Sequence, residues 1–204
     1  MIQKVHLIRH GDTEGTKRRC YYGATDIPLL PEGIAQTERC REEGIYPEPD
    51  TEEYYTTGKG RTEQTFRIIY GSRPHKIVKE LRERNFGVFE MKNHEELMSD
   101  PRYRYWLDNY SPDLAPPGGE AANEMIARIE KGIQEVLAAQ RVYLESHPEA
   151  PAESVVVCHG GTIALLISNA KGVADNKFHE WIPEPARGYT LIYEDGVLID
   201  EAPI

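Results

Sequence analysis

Two histidines far apart in the chain, His10 and His159, share one local setting. Each ends an apolar run and precedes glycine: Leu7-Ile8-Arg9-His10-Gly11 and Val156-Val157-Cys158-His159-Gly160. Taken singly, either one is as readily a histidine packed at a strand end as a working group. Brought together on neighbouring parallel strands, with the permanent cation Arg9 alongside, they form a site where an imidazole meets an anion. A third segment, Thr57-Gly58-Lys59-Gly60-Arg61-Thr62, puts Arg61 in the first turn of a helix, where the dipole makes a cation misplaced. Arg61 is then either an anion ligand or a surface arginine. Two arginines and two histidines around one point suit a phosphoryl group, because guanidinium forks pair with its oxygens. They suit a metal poorly, since cations repel it and no carboxylate stands at ligand spacing among them. Neither a metal nor a cofactor is expected.

Other phosphate and acyl chemistries are excluded by spacing. A cysteine phosphatase loop starting at Cys158 needs arginine at position 164, where the chain has Ala164. No G-x-x-x-x-G-K-[ST] loop and no G-x-S-x-G elbow is present. Cys158 reads as a small apolar residue of a buried strand.

The elements that must position these groups follow from the hydrophobic pattern. Lys4 to Arg9 reads as a strand, Pro31 to Cys40 as a helix stopping near Gly44, Glu53 to Thr57 as a strand, and Arg61 to Tyr70 as a helix closed by Gly71. Lys76 to Val78 is a candidate third strand. Glu120 to Ser146 is a long amphipathic helix with apolar residues at Met125, Ile126, Ile129, Ile133, Val136 and Leu137. Ser154 to Cys158 is the continuous run expected of a central parallel strand, a helix follows to Ala170, and Glu194-Asp195-Gly196 marks a hairpin. Between Phe86 and Gly119 aromatics, charges and loop signals mix, with one short helix expected at His94 to Met98. The reading is α/β: a three-layer α/β/α sandwich with a mostly parallel central sheet. It takes residues 1–204 as one domain with a lid or cap insertion at about 88–119.

The formal charge of −10 argues against nucleic acid as a partner, and no apolar stretch is long enough to span a membrane. Met1 to Val5 runs straight into a strand, and three widely spaced cysteines form no disulfide framework, so a cytoplasmic protein is expected.

The motifs in order resemble those of the histidine phosphatase superfamily, in its phosphoglycerate mutase-like branch. Arg9-His10-Gly11 with Thr13 is followed by Gly23-x-x-Asp26-x-Pro28-Leu29 and Gly33, then by Thr57-x-x-x-Arg61-Thr62-x-Gln64-Thr65. Leu81-Arg82-Glu83-Arg84-Asn85-Phe86-Gly87 is similar to the family's acid loop, and Val157-Cys158-His159-Gly160-Gly161 to its second histidine motif. The resemblance implies that His10 is the nucleophile that becomes phosphohistidine, that Arg9, Arg61 and His159 hold the phosphoryl oxygens, and that Glu83 is the general acid. Gly23 and Gly160 belong to the same substrate-binding motifs. Physical chemistry supports the roles: flanking cations disfavour a protonated His10, and an alkoxide leaves more easily when a carboxylic acid hands it a proton. Two departures stand out. Gly15-Thr16 replaces the Trp-Asn often found in the family, leaving the Thr16 hydroxyl as the candidate phosphate donor, and Met91 stands where glycine is common.

In the cap, Arg102-Tyr103-Arg104-Tyr105-Trp106 interleaves cations with aromatics. Arg102 and Arg104 either bind an anionic leaving group or face solvent on a helix whose aromatics pack inward. The segment from Lys92 to Pro117 is short beside the insertions of the family's mutases. The expected function is therefore a metal-independent phosphatase acting on a small phosphorylated metabolite. A cofactor-dependent phosphoglycerate mutase and a noncatalytic phosphometabolite-binding module are the alternatives.

Overall fold

The computed structural model describes residues 1–173 and 175–204, those at 175 and 176 by backbone alone. Six strands form one sheet: β1 (Ile2–Arg9), β2 (Tyr54–Thr56), β3 (Lys76–Ile77), β4 (Glu153–Cys158), β5 (Gly188–Glu194) and β6 (Val197–Pro203), in the order β3-β2-β4-β1-β5-β6. The first four run parallel, and the hairpin β5–β6 adds two antiparallel strands beside β1. The register aligns Arg9 with Cys158 and Thr56 with Val157. His10 and His159 therefore leave adjacent strands at the same level, with Thr57 of the next strand one residue below, at the carboxyl edge where open α/β sheets bind ligands.

Alternation along the strands divides the core into two layers. Val5, Leu7, Val156 and Cys158 pack against α6 (Ala122–Ser146) and α7 (Gly160–Ala170). Ile8, Val155, Val157 and Tyr54 face the other way, toward α2 (Pro31–Glu42) and α3 (Gly60–Tyr70), where they meet Cys40, Phe66 and Ile69. The three-layer sandwich follows. Met125, Ile129, Ile133, Val136 and Leu137 of α6 are all buried, each adding roughly 1.5–3 kcal/mol of transfer free energy.

Two regions differ from the sequence expectation. The stretch from Phe86 to Gly119, expected to carry one short α-helix, holds two, α4 (His94–Leu97) and α5 (Pro101–Asp108), and a separate short helix, α1 (Glu14–Lys17), follows Thr13. The second starts where the Asp100 carboxylate accepts the Arg102 N–H at 2.9 Å and Pro101 supplies a preset φ, a local start signal inside an otherwise mixed segment. Tyr103 and Trp106, three apart on α5, sink into an aromatic cluster with Phe89 and Leu97. The second region follows α7, where Asp175–Trp181 forms a 3₁₀ helix ahead of Pro183. Among the described residues, no helix is long and apolar enough to cross a membrane.

Candidate active site

His10 is buried at the end of β1, and its Nδ1 lies 2.8 Å from the Gly11 carbonyl. A carbonyl only accepts, so Nδ1 carries the hydrogen and the lone pair is on Nε2. The His159 ring stands 5.3 Å away, centroid to centroid. Its Nε2 meets the Thr57 hydroxyl at 2.9 Å, while its Nδ1 is buried without a partner. Burial first, then the charges of Arg61 and Arg9, hold His10 well below the ordinary imidazole value. Burial and Arg61 do the same to His159. Both rings are neutral at pH 7.

This arrangement has a stability consequence of definite sign. In the unfolded chain each imidazole takes up a proton near pH 6.5, whereas the folded site refuses it until much lower pH. The unfolded state then binds more protons, so stability falls as pH drops below about 6.5, by about 1.4 kcal/mol per unit for each ring. Urea unfolding of the ligand-free protein should show this loss between about pH 6.5 and 5, and His10→Asn should flatten the slope by about one such increment. An unchanged slope would contradict the neutral buried His10.

Arg61 is fully buried in the first turn of α3. Its Nη1 and Nη2 donate to the carbonyls of Thr25 and Gly23, each at 3.0 Å, and the guanidinium lies 5.1 Å from the Tyr22 ring centroid. The helix N-terminus has its own anion, since the Gly60 N–H donates to Asp26 Oδ2 at 2.8 Å. Arg61 also lies 3.5 Å from the other Asp26 oxygen, its charge bears on both His10 and His159, and its Nε has no partner. Burial lowers its pKa, but from a value so high that it remains a cation.

Behind this arginine stands Glu90, which the sequence reading passed over. Its carboxylate accepts the amides of Gly23, Ala24, Thr25 and Phe86, all at 2.9–3.1 Å. Burial alone would raise its pKa, yet these donors hold it below the usual carboxylate range. It fixes the loop whose carbonyls hold Arg61. Gly23 belongs to this scaffold: a Cβ there would collide with the Arg84 carbonyl.

On the opposite side Arg9 donates from Nη1 to the Pro183 carbonyl at 2.6 Å, and its Nε is buried and unpartnered. Gly160 packs against this guanidinium, where a Cβ would stand 3.0 Å from Nε. Glu83 sits at the start of α7, its Oε2 accepting the Gly161 N–H at 2.8 Å and its Oε1 the Arg84 N–H at 2.9 Å. Glycine at 161 is required by this approach, because a Cβ would lie 2.5 Å from Oε1.

Arg9, His10, Glu83 and Gly160 line one cavity of about 840 Å³, with Tyr22 and Arg84, two lining residues that the sequence did not single out as site residues. Arg61, His159 and Gly23, described above, stand beside His10 or its loop without being among the lining residues, and the other three candidates, Thr16, Arg102 and Arg104, are placed elsewhere. The Thr16 hydroxyl is engaged by the Thr13 hydroxyl at 3.1 Å and the Tyr22 hydroxyl at 2.8 Å, so Tyr22 stands at the cavity wall in its place. Arg102 is exposed and bonded twice to Asp100, and Arg104 is exposed on the same helix. Neither lines the cavity: α5 turns its aromatics inward and these cations out. Among the described residues no cluster of side chains has the make-up of a metal site.

Comparison with known proteins places this geometry. The model of the histidine phosphatase superfamily (branch 1) matches residues 5–198. Over 183 residues the chain is 32% identical to the Klebsiella pneumoniae (strain 342) protein named "Probable phosphoglycerate mutase GpmB", covering 85% of this chain and 76% of that one. It is 26% identical over 174 residues to the adenosylcobalamin/alpha-ribazole phosphatase of Escherichia coli (strain K12), covering 83% and 80%. The solved alpha-ribazole phosphatase of Shigella flexneri shares the fold at a TM-score of 0.76 over 96% of this chain and 93% of that one, at 22% identity.

Proposed function

Because the chain belongs to the histidine phosphatase superfamily, branch 1, we propose that it is a metal-independent phosphatase acting through a phosphohistidine on Nε2 of His10. The carrying observation is that three residues neighbouring His10 each hold a buried nitrogen without a partner: Nε of Arg9, Nε of Arg61 and Nδ1 of His159. Native interiors satisfy nearly all such groups, so three donors beside His10 suit a ligand rich in acceptor oxygens. A phosphoryl group is such a ligand.

In the first half-reaction the phosphoryl oxygens lie against Arg9, Arg61 and His159. With its Nε2 accepting from Thr57, His159 presents Nδ1–H as a donor. The lone pair of His10 Nε2 forms the N–P bond in line with the breaking P–O ester bond, and the two cations stabilise charge on the equatorial oxygens. Protonated Glu83 gives its proton to the departing alkoxide. In the second half Glu83, now a carboxylate, takes a proton from the water that attacks phosphorus, releasing inorganic phosphate and restoring His10. Two amide donors fix the carboxyl in place, and each oxygen keeps a lone pair for the proton. Residues 1–204 form one domain in this reading, with a cap at about 88–119, and the three free cysteines fit a cytoplasmic setting.

A mutase is the second reading, carried by the 32% identity to a protein so named. One experiment separates the two. Incubation with 3-phosphoglycerate in EDTA should give free phosphate, detected with molybdate, and no 2-phosphoglycerate. Accumulation of 2-phosphoglycerate without free phosphate would establish the mutase, and loss of activity in EDTA with recovery on adding a divalent ion would contradict metal independence.

A further inference from the structure

We propose, on the footing of the phosphatase reading, that the alcohol released is bulky and ring-bearing, with a carboxylate or similar acceptor at its far end that pairs with Arg84. The cavity around His10 is far larger than a phosphoryl group needs, and its remaining wall is apolar: Trp106, Tyr110, Met125, Ile126, Leu165 and Ile182. Tyr110 and Ile182, 45% and 37% exposed, are among the chain's exposed large hydrophobics, and both open onto this one chamber. A small polyol would leave these walls in water, whereas an apolar ring would take their place.

Arg84 supplies the polar end. It is only 9% exposed, lies on the cavity wall and follows Glu83 directly, so it borders the space on the leaving-group side of the site. Its guanidinium stands 5.6 Å from the ring centroids of both Phe86 and Trp106. The hydrogen bond it makes among the described residues runs from Nε to the Glu120 carbonyl at 2.8 Å, and Nη2 is buried without a partner. The Glu120 carboxylate acts on its charge but makes no direct ion pair with it, being held by Arg128 through two bonds of 2.8 Å. Glu83 acts on it in the same way without a direct ion pair, its oxygens accepting the backbone amides of Gly161 and Arg84. A buried cation in an aromatic wall, with no ion pair among the described residues and a free donor, is built to receive an anionic or strongly accepting group. Apolar walls with one convergent polar group are the make-up of a pocket for a ring-bearing ligand rather than for a short acid or sugar.

Three esters with matched primary alkoxide leaving groups test this without confounding leaving-group chemistry: propyl phosphate, 3-phenylpropyl phosphate and 3-(4-carboxyphenyl)propyl phosphate. The kcat/KM for phosphate release should rise on the order of 10- to 100-fold from the first to the second, as the ring is buried. It should rise about 10-fold more to the third. Arg84→Met should erase the last gain and keep the first. Equal values for the propyl and phenylpropyl esters would overturn the ring-bearing alcohol. A carboxylate gain that is absent in the native protein, or retained in Arg84→Met, would overturn the role of Arg84; should that variant fail to fold, the native comparison decides. Calorimetric titration with the three matching phosphonates reads binding alone. The same rank order of Kd without turnover of any ester would sink the phosphatase reading and uphold the pocket assignment, while turnover without the rank order would do the reverse.

Discussion

Replacing His10 by alanine is expected to lower phosphate release from a phosphomonoester by on the order of 10⁴–10⁶. The size of the loss reflects what stays behind. Arg9, Arg61 and His159 are held by the Pro183 carbonyl, the Gly23 carbonyl and the Thr57 hydroxyl and not by the His10 ring, so their orphaned nitrogens still bind phosphate, but no atom remains to form the N–P bond. The variant should therefore retain inorganic phosphate binding by calorimetry while losing turnover, a split that a merely unfolded protein cannot give. A noncatalytic phosphometabolite-binding module makes a different forecast: native protein and variant would both show negligible hydrolysis of p-nitrophenyl phosphate. Equal rates in the two would remove His10 from the reaction.

The second large effect belongs to Glu83 and depends on the substrate. Glu83→Gln keeps the shape of the carboxyl and can still accept the Gly161 N–H at the start of α7, giving up only the bond from the Arg84 N–H. What it loses is the proton. For an alkyl phosphate the rate should fall by about 10²–10⁴, because an alkoxide leaves poorly without protonation. For p-nitrophenyl phosphate the departing phenolate needs no acid, so the first step should be nearly spared. The second step still lacks a base for water, so the variant should release one burst of nitrophenolate per site and then slow. Stopped-flow absorbance resolves the burst. Equal losses on both esters, with no burst, would show that Glu83 does not carry the proton.

These effects rest on residues that could be read from the chain to very different degrees. The strand-end pair was legible because a parallel strand buried on both faces leaves an unbroken apolar run. Leu7-Ile8 and Val155-Val156-Val157 show where such strands stop, and His10 and His159 stand at the stop. Their meeting was an inference from topology, and the Arg9–Cys158 register gives it a definite level. The outward turn of Arg102 and Arg104 was written in the spacing too, since Tyr103 and Trp106 are three apart and share the buried face of α5.

Other features could not be read locally. Glu83 and Arg84 lie in a run of alternating charge that has the composition of a solvated segment, and Glu90 stands alone after an apolar stretch with nothing local to mark it. Their burial is made by distant parts of the chain, α6, the Gly23–Thr25 loop and the cap aromatics, so no window of sequence contains it. The Thr16 hydroxyl faced a similar obstacle, being taken by Tyr22 across a turn. The 3₁₀ segment that brings Pro183 to Arg9 has neither a helical nor a strand period to announce it.

The central claim is that His10 carries the phosphoryl group between substrate and water. Rapid quenching into base of a Glu83→Gln reaction with p-nitrophenyl phosphate, followed by mass spectrometry of proteolytic fragments, tests it most directly. Phosphohistidine is stable in base and labile in acid, and the second step of this variant is slow, so the intermediate should accumulate toward one equivalent per site. The account predicts a single phosphorylated fragment, the one containing His10, with the label lost on acid treatment. Phosphate found on another residue, or nitrophenolate released in a burst with no phosphorylated His10, would contradict it.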